Sequence, residues 1–467
     1  MIKKVLLTGV IAANVFCGVR GGGLLTNTNQ SVHFQRNPAR DASIGIDAAY
    51  TNPAGLAFLP GNGFYFSLNN QSAIQKRTIK STFAPFAGFG GNAEKEFEGK
   101  TTAPFIPNVQ AAYKTGKWVI SLNAGIVGGG GSVEFGAGLP SFESTLAIVP
   151  AVLAAQGVPG VGGYSLDSKL TGSSIIYGGQ AGATYAFLEH FSAYAGLRYT
   201  YVSNSYEGYL RNIKIGMGGN LLPAENVIAG IAAMNPAAAA FAPLVAEKEV
   251  DCKQTGSGIA PVIGLDYNWN GLNIGARYEF KTSIDLKNKT TINTTGVNDF
   301  ADGVKTPYDI PALFTIGAQY AIIPALTVSA GYHHFFDSDA DMAGGKQQYV
   351  DNGINEYLLG LEYKINDIFM VSCGAQYSLA GVTNDYQSDL SFSIDNYSLG
   401  IGGTARLTEN ISLTLAYLFT SYSDWTKNST DYGKINALTQ GVIPATAGKD
   451  TFGRTSNAVG IGLDFRF

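Results

Sequence analysis

From about residue 105 onward, apolar and polar side chains alternate in one stretch of chain after another. Residues 411–419, for example, read ISLTLAYLF, which puts Ile, Leu, Leu, Tyr and Phe on one face. A period of two is typical of β-strands whose two faces meet different surroundings. The apolar face can pack on a second sheet in a soluble sandwich, or it can face lipid in a membrane barrel. Alternation alone does not separate these two architectures.

The connections between strands favour the barrel. The pattern predicts fourteen strands, at residues 62–71, 106–114, 117–127, 172–187, 191–208, 257–268, 271–286, 311–321, 326–336, 355–365, 368–381, 388–407, 411–423 and 453–467. Tight links at residues 115–116, 188–190, 268–270, 322–325, 365–367 and 408–410 alternate with longer loops at about 128–171, 209–256, 287–310, 337–354, 382–387 and 424–452. Short turns at one end and long loops at the other are typical of outer-membrane barrels. We therefore predict an all-β fold, a fourteen-stranded antiparallel transmembrane β-barrel.

Aromatic residues recur just before the tight links. They are Tyr113, Tyr185, Tyr267, Tyr320 and Tyr363, and the last strand carries Phe465 and Phe467. Amphipathic rings at one height are typical of a membrane–water interface. This pattern is independent of the loop lengths and also favours the membrane barrel over a soluble β-protein.

Composition excludes several function classes. Charged residues make up 14% of the chain, and 31 basic residues nearly balance 35 acidic ones, so we expect no nucleic-acid partner and no extensive disorder. His333 and His334 are neighbours on a strand and point to opposite faces. Cys252 and Cys373 are too few for a disulfide framework, and Cys373 falls on an outward face. We expect no enzyme activity, no cofactor and no metal site.

The N-terminus predicts export. Two lysines precede an apolar run from Val5 to Phe16, which is too short to span a bilayer. This is the pattern of a secretory signal peptide, which we place at residues 1–20 without fixing the cleavage site. A lipoprotein acylated at Cys17 is a weaker alternative, because bulky Phe16 stands where a small residue is expected. The predicted destination is the bacterial outer membrane.

The next segment, residues 21–60, lacks the alternation of a strand. Residues 47–57 read DAAYTNPAGLA, in which Asn52 and Pro53 are turn signals. A fourteen-stranded barrel is wide enough to leave an open lumen unless something fills it. We predict that residues 21–60 form a hatch that plugs a barrel of residues 61–467, with Asn52, Pro53, Ala54 and Gly55 as its motif.

The Asn52-Pro53-Ala54-Gly55-Leu56 string, together with the predicted topology, resembles the FadL/TodX-type transporters of the outer membrane, which carry long-chain fatty acids or toluene-like compounds. The resemblance covers the whole chain. It implies an N-terminal hatch, passive uptake of hydrophobic molecules, and sideways exit at a kinked third strand. Some members of this family are labelled hemin receptors. The family's ligand-binding residues follow no motif in this sequence.

Two long loops are unusually apolar. Residues 139–158 read LPSFESTLAIVPAVLAAQGV, and residues 221–246 read LLPAENVIAGIAAMNPAAAAFAPLVA. Both are broken by proline, which is consistent with short helices. Exposed apolar loops call for a partner, so they form either a capture groove for a hydrophobic ligand or a cap in which they pack on each other.

Candidate site residues follow from the strand pattern. The third strand runs into a glycine series, so we place a lateral opening at Gly125, Gly128 and Gly129, against the alternative of a flexible loop start. Arg198 and Arg277 face the lumen at similar heights and are candidate contacts for a ligand head group. The alternative is that these arginines pair with lumen acids such as Glu279, or with the hatch.

The predicted function is therefore that of a monomeric channel for passive uptake of hydrophobic small molecules. Long-chain fatty acids or similar detergent-like amphiphiles are the favoured ligands, with outer-membrane lipid around the barrel. A hemin-binding receptor, using His333 or Tyr332, and a general diffusion porin are the alternatives.

Overall fold

The computed structural model describes residues 24–88 and 90–467, so the predicted signal peptide and Cys17 lie outside the described residues. Within them the chain forms one sheet that closes into a barrel. The fourteen strands are β1 (Gly63–Phe83), β2 (Glu94–Thr115), β3 (Trp118–Phe135), β4 (Val161–Ala186), β5 (Phe191–Met217), β6 (Lys248–Trp269), β7 (Leu272–Glu279, continued by Asp285–Asn293), β8 (Lys305–Pro307, continued by Leu313–Ile323), β9 (Leu326–Phe335), β10 (Asn355–Lys364), β11 (Phe369–Leu379), β12 (Asn396–Arg406), β13 (Ile411–Tyr422, continued by Trp425–Ser429) and β14 (Gly448–Arg466). A short extra strand, Asn220–Pro223, pairs with the end of β5.

Each strand pairs antiparallel with its neighbours in sequence, and β14 pairs with β1 to close the barrel. This closing seam joins nineteen residue pairs, from Tyr65 with Arg466 to Phe83 with Gly448. All six predicted tight links are turns at the end of the barrel where β1 begins. The fold prediction is confirmed, and several strands are longer than predicted. β1, for example, continues to Phe83 instead of ending near residue 71.

The outward face of the barrel is an apolar belt. Large side chains such as Leu359 and Leu265 are exposed on it, and Cys373 lies outward as expected. The predicted tyrosines near the tight turns face outward, at one edge of this belt. Four further tyrosines stand side by side on neighbouring strands near the other edge, namely Tyr332, Tyr357, Tyr377 and Tyr397. An apolar belt between aromatic girdles is the surface of a membrane-spanning barrel.

Polarity inverts above the belt while the strand parity continues. On β1, the inward side chains change from Ser67 and Asn69 to Ile79 and Phe83, all of them buried. The outward side chains change from exposed apolar residues, ending at Ile74, to exposed lysines such as Lys76 and Lys80. We call residues 63–75 of β1, with the strand stretches around the barrel at that level, the lower barrel. The upper barrel comprises residues 76–83 with the stretches at their level.

Helices are short and lie inside or above the barrel. They are α1 (Val32–Arg36), α2 (Ala48–Thr51), α3 (Pro140–Ala155), α4 (Ala224–Met234), α5 (Ala242–Val245) and α6 (Ile435–Leu438), with 3₁₀ turns at Pro53–Phe58, Ala84–Ala87, Pro236–Phe241, Asn298–Phe300, Asp337–Asp339, Ala343–Tyr349 and Tyr432–Lys434. Among the described residues, no helix is both long enough and apolar enough to cross a membrane. Residues 24–62, the inner segment, carry α1 and α2 and lie within the lower barrel, where nearly all of residues 24–59 are buried.

Candidate functional site

The string Asn52-Pro53-Ala54-Gly55 fastens the inner segment to the barrel wall. The Asn52 amide donates to the carbonyl of Leu265 (3.0 Å) and to the Asp266 carboxylate (3.1 Å) on β6. Its side-chain oxygen caps the 3₁₀ turn that begins at Pro53. A side chain at Gly55 would collide with the backbone of Ser43, so glycine is required for this close approach.

The backbone of the same string completes the attachment. The hydroxyl of Thr184 on β4 donates to the Pro53 carbonyl, and that of Ser192 on β5 donates to the Ala54 carbonyl, each at 2.7 Å. Proline supplies no N–H, so its carbonyl is the remaining backbone anchor. The motif is therefore a docking element that contacts three neighbouring strands.

Ion pairs hold the inner segment on the opposite side of the lumen. Glu362 of β10 accepts from Arg36 (2.5 Å) and Arg40 (2.8 Å), while Arg40 also pairs with Asp47 (2.7 Å). Helix α1 positions Arg36, and its Ser31 cap accepts from the backbone N–H of Phe34. Because these charges are buried, removing one partner is far more costly than breaking a surface pair.

A second cluster joins the inner segment to β9 and β10. His333 contacts Asp41 through Nε2 (2.8 Å) and Glu356 through Nδ1 (2.7 Å). Both ring nitrogens are therefore occupied. Tyr332, on the outward face, donates its hydroxyl to Asn355 at 2.7 Å. Neither residue is free in this arrangement to ligate the iron of a hemin.

Arg198 of β5 and Arg277 of β7 come together at Glu279, one of the lumen acids named as the alternative to a ligand. Each places a terminal nitrogen 2.8 Å from the same oxygen of Glu279. Both guanidinium groups also lie against the ring of Tyr50, with Cζ at 4.7 and 5.2 Å from its centroid. Two cations share one carboxylate, and their Nε atoms are buried with no hydrogen-bond partner among the described residues. The cluster thus has an excess positive charge and spare donors.

The lumen is closed at this level. The void between Tyr50, Arg277 and His333 has a volume of about 10 Å³, which is room for one water molecule. A drug-sized ligand needs several hundred Å³. The inner segment must therefore shift before a ligand can reach the arginines from above.

The barrel wall is interrupted between β2 and β3. The two strands pair from Thr115 with Trp118 to Asn108 with Gly125, and again from Thr101 with Val133 outward. Between these stretches β3 leaves β2 and pairs instead with the inner segment, where Thr26 bridges Gly128. β3 also carries two irregularities against β4 at this point.

The predicted glycines lie at this interruption. Gly125 is the last residue of the lower paired stretch, and a side chain at Gly128 would meet the carbonyl of Leu25 in the inner segment. Gly129 has a φ of 77°, a backbone conformation that favours glycine. These positions allow β3 to turn inward, as expected of a glycine-containing bulge.

A cavity of about 220 Å³ occupies the interruption. Its lining includes Asn27 of the inner segment, Ala103 and Phe105 of β2, Ile126 of β3 and Ile175 of β4. Phe105 is 67% exposed on the outer surface. The cavity therefore lies between the inner segment and the apolar belt.

The upper barrel is filled by the two apolar loops. Helix α3 and helices α4 and α5 pack with inward side chains of the upper strands into one large apolar cluster, which we call the cap. The short helices predicted in both loops are confirmed. A pocket of about 150 Å³ remains between Phe142 and Leu146 of α3, Leu244 of α5, and Phe300. The loops therefore form a cap that also contains an apolar pocket.

Polar contacts fix α3 over this pocket. The Asp389 carboxylate accepts from the backbone N–H of Ser141 at the start of α3 (2.8 Å), and burial raises the pKa of this carboxyl. Glu143 of α3 accepts from the Tyr164 hydroxyl (2.6 Å) and pairs with Lys95. Asp389 and Glu143 lie above the apolar belt, and both are buried.

Several residues of the site were not predicted. Leu25, Thr26 and Asn27, which replace β2 as the partner of β3, carry no strand pattern of their own. The inward apolar residues of the upper barrel do carry a signal, because the period of two continues there with reversed polarity. The sequence prediction considered only strands with apolar residues facing outward, as in the belt, and therefore missed the upper parts of the strands.

Comparison with known proteins agrees with this architecture. No family model and no curated protein sequence matches the chain. Among solved structures, a FadL homologue of Pseudomonas aeruginosa has a TM-score of 0.64 at 12% identity, covering 96% of this chain and all of that one. The toluene transporter TodX of P. putida has a TM-score of 0.55 at 15% identity, covering 91% of this chain and 94% of that one. The toluene transporter TbuX of Ralstonia pickettii has a TM-score of 0.53 at 16% identity, covering 93% of this chain and 99% of that one.

Proposed function

We propose that this chain, which has the fold of the FadL-type and TodX-type channels of the outer membrane, is itself a channel for passive uptake of hydrophobic small molecules. The observation that carries the proposal is the interrupted seam between β2 and β3. A channel that releases its ligand into water needs no gap in its wall. A gap at the apolar belt serves a ligand that leaves sideways into the membrane.

The ligand route that we infer has three steps. A ligand enters the apolar pocket of the cap, passes into the lumen when the inner segment shifts, and leaves through the cavity beside Gly129. In this route the inner segment is the hatch, and Asn52, Pro53, Ala54 and Gly55 are the residues that dock it on the barrel wall. The Thr26 bridge to Gly128 couples the hatch to the exit, because both change when β3 moves.

The ligands we favour are long-chain fatty acids or similar amphiphiles. Arg198 and Arg277 share the single carboxylate of Glu279, so a second carboxylate from a ligand would balance the cluster and accept from its spare donors. Uncharged aromatic compounds are the second candidate class of ligand, because two of the solved structures with this fold are toluene transporters. An uncharged compound would make no use of the two arginines.

The test is uptake of radiolabelled oleate and of radiolabelled toluene by cells that lack their own carriers and express this chain. We expect oleate uptake above the empty vector, and a loss of that uptake in Asn52→Ala/Pro53→Ala at equal surface expression. Arg198→Gln/Arg277→Gln should reduce uptake of oleate but not of toluene. Toluene uptake without oleate uptake would overturn the fatty-acid assignment.

The exit is tested separately by filling the wall cavity. Ala103 lines it, so Ala103→Trp should block release and reduce uptake at least several-fold, while binding of a fluorescent fatty acid to the cap persists. Ala405→Trp, on β12 near the tight turns, is the matched control and should leave uptake unchanged. Equal uptake by both variants would exclude the lateral exit.

A further inference from the structure

Four lysines stand together on the outer surface of the upper barrel. Lys253 lies on β6, Lys287 and Lys289 on the outer part of β7, and Lys305 on the outer part of β8, and all four are exposed. The strand register places Lys253 directly opposite Lys289, and Lys287 directly opposite Lys305. We call these four residues the lysine patch.

The lysine patch lacks an internal counter-charge. Like charges directly opposite each other on neighbouring strands destabilise a sheet. Three carboxylates border the patch, Asp251 and Asp285 on its own strands and Glu207 opposite Asp251 on β5, but none forms an ion pair with it, and none of its lysines pairs with any residue that the structure describes. The arrangement therefore costs stability unless an anion from outside the chain neutralises it.

Other outward lysines of the upper barrel differ from the patch. Lys76 and Lys100 both pair with Glu98, at 2.5 and 3.0 Å. Lys169 pairs with Glu134 at 2.9 Å. Lys214 of β5 and Lys449 of β14 are also exposed and without an ion pair among the described residues, but each lies opposite uncharged residues on both neighbouring strands. Unpaired lysines that face each other across strands are thus found, among these lysines, in the sector around β6 to β8.

The height of the lysine patch above the apolar belt shows which part of the membrane surrounds it. Tyr201, an exposed tyrosine near the upper edge of the belt, pairs with Ser257 of β6, and Lys287 is opposite Thr255, two residues farther out. At about 3.3 Å per residue and a strand tilt of roughly 40°, the lysines lie on the order of 5 to 10 Å above this tyrosine. This is the level of the head groups of the outer leaflet.

We propose that the lysine patch binds the phosphate groups of a lipid of the outer leaflet. Clusters of four or more basic residues beside a membrane are a common means of holding anionic head groups. A lipid is favoured over free phosphate because its acyl chains would pack on the apolar belt directly below, where Ile259 is 61% exposed. The site requires the barrel to lie in a membrane, but it is independent of what the channel carries.

The experiment uses the full chain in uncharged detergent and lipid A, a glycolipid with two phosphate groups, as the probe. The test variant is Lys253→Gln/Lys287→Gln/Lys289→Gln/Lys305→Gln. The matched control, Lys76→Gln/Lys80→Gln/Lys100→Gln/Lys169→Gln, removes the same charge from outward lysines near carboxylates. Binding is measured by native mass spectrometry and by the lipid-induced rise in melting temperature.

We expect the test variant to bind lipid A at least tenfold more weakly than the parent, and the control variant to stay within twofold. Without lipid, the test variant should melt at the same or a higher temperature, because opposed like charges have been removed. If the fourfold variant does not fold, Lys289→Gln/Lys305→Gln removes one member of each opposed pair and should weaken binding about threefold. Equal losses in test and control variants would overturn the proposal. So would equal binding of dephosphorylated lipid A, or equal stabilisation by inorganic phosphate.

Discussion

The lower and upper barrel follow the same strand parity with opposite polarity. In the lower barrel, apolar side chains face outward and buried polar ones such as Asn69 and Gln180 face the lumen. In the upper barrel, charged side chains face outward and Phe83 and Phe135 face inward. The difference follows from the solvent, which is lipid outside one region and water outside the other. Along a single continuous strand, the inward side chains thus change from polar to apolar at the level where the outside changes from lipid to water.

The contents of each region match its inner wall. The polar lumen of the lower barrel holds the inner segment through ion pairs and hydrogen bonds. The apolar interior of the upper barrel holds the cap through apolar packing. Directional polar contacts favour one seated position of the inner segment, whereas apolar packing accepts a hydrophobic ligand without a new polar partner. We expect the two regions to respond differently to substitution.

The largest effect should come from Glu362→Gln in the lower barrel. Arg36 and Arg40 would then lose their shared carboxylate while buried, which costs about 4 kcal/mol. We expect faster hydrogen exchange in residues 31–47 and a higher ion conductance in planar bilayers. Asp367→Asn, which removes an exposed partner of Lys364, is the control and should change neither. Unchanged exchange in both variants would mean that these ion pairs do not seat the inner segment.

Leu153→Ala should loosen the upper barrel alone. Leu153 is fully buried in the apolar cluster of the cap, and the cavity left by its truncation costs about 3 kcal/mol. Hydrogen exchange of α3 should increase, and a fluorescent fatty acid should bind the cap more weakly, while conductance stays at the parent value. Leu415→Ala, on the lipid-facing belt, is the control. A rise in conductance with Leu153→Ala would contradict the separation of the two regions.

The smallest effect, taken per pH unit, is a pH dependence of the outer loop at residues 343–349, which borders the cap. The Lys346 amine is buried among the outer loops, where it donates to the Ser391 carbonyl (3.0 Å), and burial lowers its pKa to about 7 from an ordinary value near 10.5. Between these two values the opened loop binds a proton that the closed loop does not. The loop at residues 343–349 should therefore lose about 1 kcal/mol of stability per pH unit as the pH falls from 10 towards 7, with little further loss below 7.

This dependence is measured by hydrogen exchange of residues 343–349, corrected for the intrinsic exchange rate at each pH. Lys346→Met should abolish it, whereas Lys364→Met, at an exposed position near the tight turns, should not. A pH dependence that persists in Lys346→Met would assign it to another group.

The comparison also explains what the sequence could predict. Turns such as Asn270-Gly271, where both residues have a positive φ, are local signals, and so are the tyrosines before them. These features determine the number of strands and which face meets lipid. The upper strands were predicted too short. The prediction assumed that apolar side chains face outward, as they do in the belt, so a strand with charged residues outward and apolar residues inward resembled a loop.

The candidate site needed three-dimensional register. That Arg198 and Arg277 share Glu279 follows from the alignment of β5, β6 and β7, which strand periodicity leaves open. The replacement of β2 by Thr26 as the partner of Gly128 joins two segments about a hundred residues apart. The glycines of β3 indicated a place where strand pairing is weak. They did not indicate that the inner segment replaces β2 as the partner of β3 there.

The closing seam sets an order of events for assembly. Its nineteen residue pairs join positions more than 360 residues apart, so the barrel cannot close before the last strand has been delivered. Until then β1 offers a long row of unpaired backbone groups, which is a template for association with other chains. Contacts of such high sequence separation also form slowly. The edge of β1 therefore has to be kept away from other chains until β14 arrives.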